Sequence, residues 1–170
     1  MRKIKQNFET VRALLRICTL LLFTGCATVS EDTITKQTGI PAQSIRAVAK
    51  CAYTATNVGK TSGDSSCGIF ILTDNSIRIY NAPDVSKISK DPVYNLGFHE
   101  LDSVAVASYA LVKQLQFYQG SRVLAVTLWN QFELPDKEKA TQVHDYMTKQ
   151  GLTSRPNCEV IFLGIPNATY

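Results

Sequence analysis

The chain has 170 residues and an ordinary globular composition, with 45% hydrophobic and 19% charged residues. These values exclude a disordered, collagen-like or coiled-coil chain, and the length is that of one domain. The formal net charge is +4, but five basic residues and one acidic residue lie in residues 1–25, which leaves 13 basic and 13 acidic residues in 26–170. A neutral body argues against a nucleic-acid partner, because contacts to phosphates need an excess of positive charge.

The N-terminus has the three-part layout of a secretory signal. A basic segment, MRKIKQNFETVRALLR, precedes an apolar run over residues 17–25, ICTLLLFTG. As a helix this run would rise about 14 Å, less than half of a hydrocarbon core about 30 Å thick. We therefore predict a signal peptide over residues 1–25, with an uncleaved inner-membrane segment as an alternative.

A cysteine follows the apolar run, and the segment Phe23-Thr24-Gly25-Cys26 resembles the lipobox of bacterial lipoproteins. The resemblance implies that a signal peptidase recognises Phe23, Thr24 and Gly25, and that Cys26 becomes the acylated N-terminus. It also implies an outer-membrane position facing the periplasm, because Ala27 stands where an aspartate would retain the protein in the inner membrane. The alternative is that Cys26 is an ordinary cysteine after an apolar helix.

The next segment, residues 26–43, is predicted to be the lipidated cysteine and a flexible tether. Its sequence after the cysteine, ATVSEDTITKQTGIPAQ, is polar and has no sustained apolar periodicity. A single globular domain is expected to follow over residues 44–170.

The domain begins with a series of short runs typical of β-strands. In IRAVAKCAYTA, alternate positions from Ile45 to Tyr53 are apolar, which indicates a half-buried strand. Asp74-Asn75 is a turn signal between the runs CGIFILT and SIRIYN. SVAVASYALVKQLQF also fits a single helix, and that alternative stays open. The further predicted strands are CGIFILT, SIRIYN, VYNLGF, LDSVAVASYA, VKQLQFY and RVLAVTLWN.

An amphipathic helix is predicted over about residues 135–150. Pro135 and Asp136 suit its first turn, and Gly151 supplies the stop. Its apolar stripe is Ala140, Val143 and Met147. CEVIFLGI, from Cys158, is consistent with a final strand. The expected fold is mainly β (α+β): an antiparallel two-sheet barrel or sandwich of about seven strands with one C-terminal helix.

In the order of these elements, residues 44–151 resemble the pleckstrin-homology-like family, including its GRAM-like members. The resemblance rests on CGIFILTDNSIRIY, LGFHELDSV and RVLAVTLWN followed by the helix. It implies a barrel that the helix plugs at one end, and a binding module rather than an enzyme. Members that bind phosphoinositides carry basic residues on the first two strands and their loop. Here that region has Lys50 and Lys60 with Asp64 nearby, which argues against headgroup binding.

The exported chain would keep Cys51, Cys67 and Cys158 in an oxidising compartment. We expect a Cys51–Cys67 disulfide, because these two cysteines flank the same Gly/Ser-rich loop, NVGKTSGDSS. The alternative is that all three are small buried thiols. There is no Cys-x-x-Cys motif, so the sequence predicts neither a metal site nor a cofactor.

The two histidines give no catalytic motif. His99 is followed by Glu100, but Ser103 stands where a zinc protease needs its second histidine. His144 lies on the predicted helix, and no spacing joins it to Ser103 or Ser108. No catalytic residue is therefore assigned.

The sequence favours a membrane-anchored periplasmic lipoprotein that acts as a non-catalytic binding or envelope-assembly module. Its partners would be the membrane, through N-terminal acyl chains, and a protein of the envelope. The alternative is a lipid-anchored envelope enzyme such as a hydrolase. A compact pocket with His99 or His144 within hydrogen-bond reach of a serine and a carboxylate would favour that alternative.

Overall fold

The seven runs predicted as strands form one antiparallel sheet in the computed structural model, which describes residues 31–156 and 158–163. The strands are β1 (Ile45–Asn57), β2 (Ser62–Gly63), β3 (Ser66–Thr73), β4 (Ser76–Tyr80), β5 (Tyr94–Gly97), β6 (Ser103–Tyr109), β7 (Val112–Gln119), β8 (Arg122–Trp129) and β9 (Phe162–Leu163). The sheet order is β5-β4-β3-β1-β8-β7-β6, and the short strands β2 and β9 form a separate parallel pair. The helices are α1 (Glu31–Thr38) and α2 (Lys137–Lys149), with 3-10 turns at Ala42–Ser44, Val85–Lys87 and Phe98–Glu100.

The large sheet is curled rather than flat. Phe70 on β3 and Phe117 on β7 stack with ring centroids 6.3 Å apart. Their strands are three spacings apart in the sheet order, which is about 14 Å in a flat sheet. The sheet therefore bends its two halves around one core, and the mainly β fold with a C-terminal helix is confirmed.

The turns that separate the strands settle the open alternative in the β6–β7 region. Asp74-Asn75 joins β3 to β4 as predicted. SVAVASYALVKQLQF forms two strands and not one helix, since Ala110 has a φ of 47° and reverses the chain before Val112. A positive φ at a non-glycine residue ends a regular element.

Helix α2 closes the inner face of the sheet. The Asp136 side chain accepts a hydrogen bond of 2.9 Å from the backbone N–H of Lys139, which caps the first turn. The helix lies within the predicted range of 135–150. Its predicted stripe, Ala140, Val143 and Met147, is buried in the same core cluster as Phe70 and Phe117.

The structure differs from the flexible tether that we expected over residues 26–43. Residues from Glu31 onward belong to the folded domain, as helix α1 and the 3-10 turn that follows it. Ile34 and Ile40 are buried with Ile69 and Ile71 of β3, on the outer face of the sheet. Burial of these two isoleucines orders a segment whose own sequence has little helical pattern.

The outer face of the other half of the sheet is covered by residues 158–163. Ile161 packs there with Ala105, Val123 and Ala125. Among residues 158–163 of the predicted final strand, Phe162–Leu163 pairs as a strand, parallel to β2. The backbone N–H and C=O of Ile161 pair instead with the side chain of Gln114.

Candidate functional site

A cavity of about 230 Å³ opens on the outer face of β7 and β8. One wall is the sheet, a second is the loop after β1, and the third is the segment on either side of Cys158. It is the best candidate for a binding site among the described residues. Its lining is Val58, Gly59, Lys60, Thr61, Gln116, Tyr118, Val123, Arg155, Cys158, Glu159, Val160 and Ile161.

The wall formed by β7 carries a buried polar row, Gln114, Gln116 and Tyr118, with exposures of 1%, 1% and 7%. These side chains share one face because strand side chains alternate, while Leu115 and Phe117 face the core. Gln116 Nε2 donates to Gln114 Oε1 at 3.0 Å and to the Glu159 carbonyl oxygen at 2.7 Å. The row therefore fixes residues 158–163, which we call the covering segment, to the sheet.

Tyr118 sits where the polar row meets the cavity. Its hydroxyl donates to Gln116 Oε1 at 2.6 Å and lies 3.3 Å from the Cys158 sulfur. Burial raises the pKa of Tyr118 above its ordinary value of 10.0, and the adjacent Cys158 adds to this shift. The hydroxyl is therefore a neutral hydrogen-bonding group at physiological pH.

Two cations and one carboxylate belong to the lining: Lys60, Arg155 and Glu159. The Arg155 guanidinium carbon lies 4.5 Å from the centroid of the Tyr118 ring, a cation–π contact that holds it at the cavity. The excess of one positive charge favours a ligand group with negative charge.

The predicted Cys51–Cys67 disulfide is absent from the structure, where Cys51, Cys67 and Cys158 are free thiols. The strand register explains this. Cys51 lies opposite Gly68, and Cys67 lies opposite Ala52, so the two sulfurs extend from opposite faces of the sheet. The alternative of unpaired thiols describes the structure better.

The lipobox residues Phe23, Thr24, Gly25 and Cys26 lie outside the described residues. Within residues 31–156 and 158–163, no helix is long and apolar enough to cross a membrane. In the same ranges no group of three or more His, Cys, Asp or Glu side chains is placed to hold a metal ion.

The structure separates the two histidines. His99 is exposed in the turn after β5. His144 of α2 lies 2.9 Å from the Ser154 hydroxyl through Nε2 and 3.3 Å from an Asp145 carboxylate oxygen through Nδ1. Neither Ser103 nor Ser108, the serines considered from the sequence, is the partner. The Asp145 side chain is 58% exposed, unlike the buried carboxylate of hydrolase triads.

The sequence carries a signal for the polar row. In VKQLQFYQ, glutamines alternate with buried apolar residues, as on a strand with one polar face. The partners of Gln114 and Gln116 lie more than 40 residues later in the chain. Sequence spacing alone could not have joined them.

No protein-family model and no curated protein sequence matches this chain. Solved structures similar to it include two of the Slm1-PH domain, one in complex with inositol-4-phosphate and one with phosphoserine. The first is 14% identical with a TM-score of 0.39, over 62% of this chain and 95% of that one. The second is 16% identical with a TM-score of 0.39, over 63% and 94%. Similarity at this level assigns neither a family nor a ligand.

Proposed function

We propose that the chain is a lipid-anchored periplasmic lipoprotein and that its domain is a non-catalytic binding or envelope-assembly module. The anchor would be Cys26, and the support for it is the basic segment, the short apolar run and the lipobox-like residues before the cysteine. Ala27 favours the outer membrane as its destination.

The observation that carries the binding role is the cavity beside Tyr118. At about 230 Å³ it is smaller than the range of about 300–1,000 Å³ typical of drug-sized ligands. It suits one acidic side chain or a chain-terminal carboxylate, which Arg155 and Lys60 would attract. The partner we propose is therefore an envelope protein that presents one acidic side chain or its C-terminal carboxylate.

The lipid anchor is tested by metabolic labelling with a clickable palmitate. We expect label on the wild-type chain and none on Cys26→Ser. An unlabelled wild-type chain would exclude the lipoprotein assignment.

The binding role is tested by photo-crosslinking in intact cells. A photoreactive amino acid at Thr61, which lines the cavity and carries no charge, should give a discrete protein adduct, and the same group at exposed Lys90 should not. Arg155→Ala should weaken the adduct at position 61. Equal adducts at positions 61 and 90, or none at either, would contradict a partner at this cavity.

A second candidate function is a lipid-anchored hydrolase, which one observation favours: the contacts of His144 with Ser154 and Asp145. In that case Ser154 would be the nucleophile and His144 the base. A fluorophosphonate probe should then label the wild-type chain and Ser108→Ala but not Ser154→Ala. Absence of labelling would leave the binding module as the function to pursue.

A further inference from the structure

Five large apolar side chains are exposed in neighbouring segments at the β6–β7 turn, the loop after β8 and the end of the covering segment. We call them the apolar patch. Isolated exposed apolar residues are common, but several in adjacent segments indicate an interaction surface. The patch and its exposures are Tyr109 61%, Leu111 75%, Phe132 71%, Leu134 59% and Phe162 57%.

Contacts between these segments hold the patch together. The rings of Tyr109 and Phe162 meet edge to face with centroids 6.0 Å apart. The Lys137 ammonium lies 3.4 Å from the carbonyl oxygen of Ala110, which joins the β6–β7 turn to the start of α2. The β8–α2 loop that carries Phe132 ends just before Lys137.

The loop from Asn130 to Leu134 is a fixed structure. The Asn130 side chain accepts hydrogen bonds from the backbone N–H of Phe132 at 2.9 Å and of Leu134 at 3.1 Å. The backbone N–H of Asn130 donates to the Leu134 carbonyl oxygen at 2.9 Å. Phe132 and Leu134 are thus presented to solvent by a preorganised turn, which lowers the entropic cost of binding through them.

The loop that carries Phe132 and Leu134 lies beside the N-terminal helix on the outer face. The Lys50 ammonium of β1 donates a hydrogen bond of 3.0 Å to the Glu133 carboxylate of the loop. Lys50 is paired with Ile69 on the adjacent strand β3. Ile69 in turn is buried with Ile34 of α1. Helix α1 and the loop therefore flank the same stretch of β1.

The chain before α1 limits how far this face can be from a lipid anchor. Five residue spacings separate Cys26 from Glu31, and even fully extended they span about 18 Å at most. The tether expected from the sequence, residues 26–43, was more than three times as long. With so short a connection, an acylated Cys26 would keep the α1 side of the domain next to the bilayer.

We propose that the apolar patch docks into the interfacial layer of the bilayer that holds the acylated Cys26. This inference rests on the lipid anchor proposed above. Exposed Phe and Leu side chains gain free energy by insertion about 5–10 Å into the headgroup region. Acyl chains and patch together would fix the orientation of the domain, with Val58 in the loop after β1 at the opposite end of β1 and β8 from Phe132.

The test uses the full-length lipoprotein, isolated from cells and reconstituted in vesicles of phosphatidylethanolamine and phosphatidylglycerol with brominated phosphatidylcholine. Trp129 is the only tryptophan, so Trp129→Phe gives a dark background. In this background one variant carries Phe132→Trp. The matched control carries Val58→Trp, which is 40% exposed in the loop after β1.

We expect brominated lipid to quench tryptophan at position 132 strongly and to leave position 58 unquenched. Equal quenching at both positions, or a blue shift at position 132 without quenching, would overturn the proposal; the latter would indicate contact with another copy of the chain. Flotation of the same vesicles separates the two hypotheses. Co-flotation that is lost in Cys26→Ser supports the anchor whatever the quenching result, whereas failure to float removes the anchor and the docking together.

Discussion

The side-chain amide of Gln116 donates a hydrogen bond of 2.7 Å to the carbonyl oxygen of Glu159, 43 residues later in the chain. Replacing Gln116 with leucine would remove this bond and leave the Tyr118 hydroxyl with the Cys158 sulfur, 3.3 Å away, as its remaining acceptor. Because these groups are buried, we expect a loss of about 1–3 kcal/mol in the free energy of unfolding. Residues 158–163 should also exchange their amide hydrogens faster.

Urea unfolding and hydrogen exchange by mass spectrometry measure these two effects. Gln142→Leu is the matched control, because Gln142 is exposed on α2 and bonds only Glu138 in its own helix. The control should change stability by no more than about 0.5 kcal/mol. Equal effects of the two variants would contradict a structural role for the polar row.

Helix α1 should contribute to the stability of the domain. Ile34 is fully buried against β3, so Ile34→Ala is expected to cost about 2–5 kcal/mol of unfolding free energy. Lys36→Ala, on the exposed side of the same helix, should be close to neutral. If urea midpoints fell equally for both variants, or for neither, α1 would not be docked as described.

The cysteines should remain thiols in the folded protein and differ in reactivity. Cys51 is fully buried and burial raises its pKa, while Cys67 is partly exposed on the other face. Iodoacetamide is expected to label Cys67 in the native state, and Cys51 only after urea is added. Peptide mass spectrometry reads both sites, and a linked Cys51–Cys67 peptide would refute this prediction.

Stability should fall at alkaline pH. Burial raises the pKa of Cys51 above its ordinary value of 9.0 and that of Tyr118 above 10.0, so the unfolded chain loses these protons at lower pH than the folded chain. The stabilisation is complete below about pH 9 and is lost as the pH rises further. For Cys51 the slope is up to about 1.4 kcal/mol per pH unit.

Urea unfolding at neutral pH and at about pH 10.5 measures this loss. Cys51→Ala should be less stable at neutral pH, because it leaves a small cavity in the core, but its stability should depend less on pH. A wild-type chain with the same unfolding free energy at both pH values would show that neither group is deprotonated on unfolding.

The sequence predicts the inner half of this fold better than its outer half. Alternating apolar residues identify the strands, and the stripe on α2 identifies the face that packs on them. In β3, Ile69, Phe70, Ile71 and Leu72 leave no polar face, which indicates that both faces are covered. The sequence does not say what covers the outer face. Helix α1 has Ile34 as its buried apolar residue, and residues 158–163 are held by Gln114 and Gln116, which lie more than 40 residues earlier. The cavity that residues 158–163 form with the sheet could therefore not be predicted either.

The two segments that cover the outer face of the sheet, helix α1 and residues 158–163, come from opposite ends of the described chain. Their positions affect the order in which the domain folds during synthesis. Residues 158–163 follow all seven strands of the large sheet, so Gln114 and Gln116 have no acceptors from the cover until synthesis has passed residue 161. A ribosome-bound chain would therefore present an open sheet face. The domain reaches its full stability only as a late event, and chains truncated before residue 161 should be more sensitive to proteolysis.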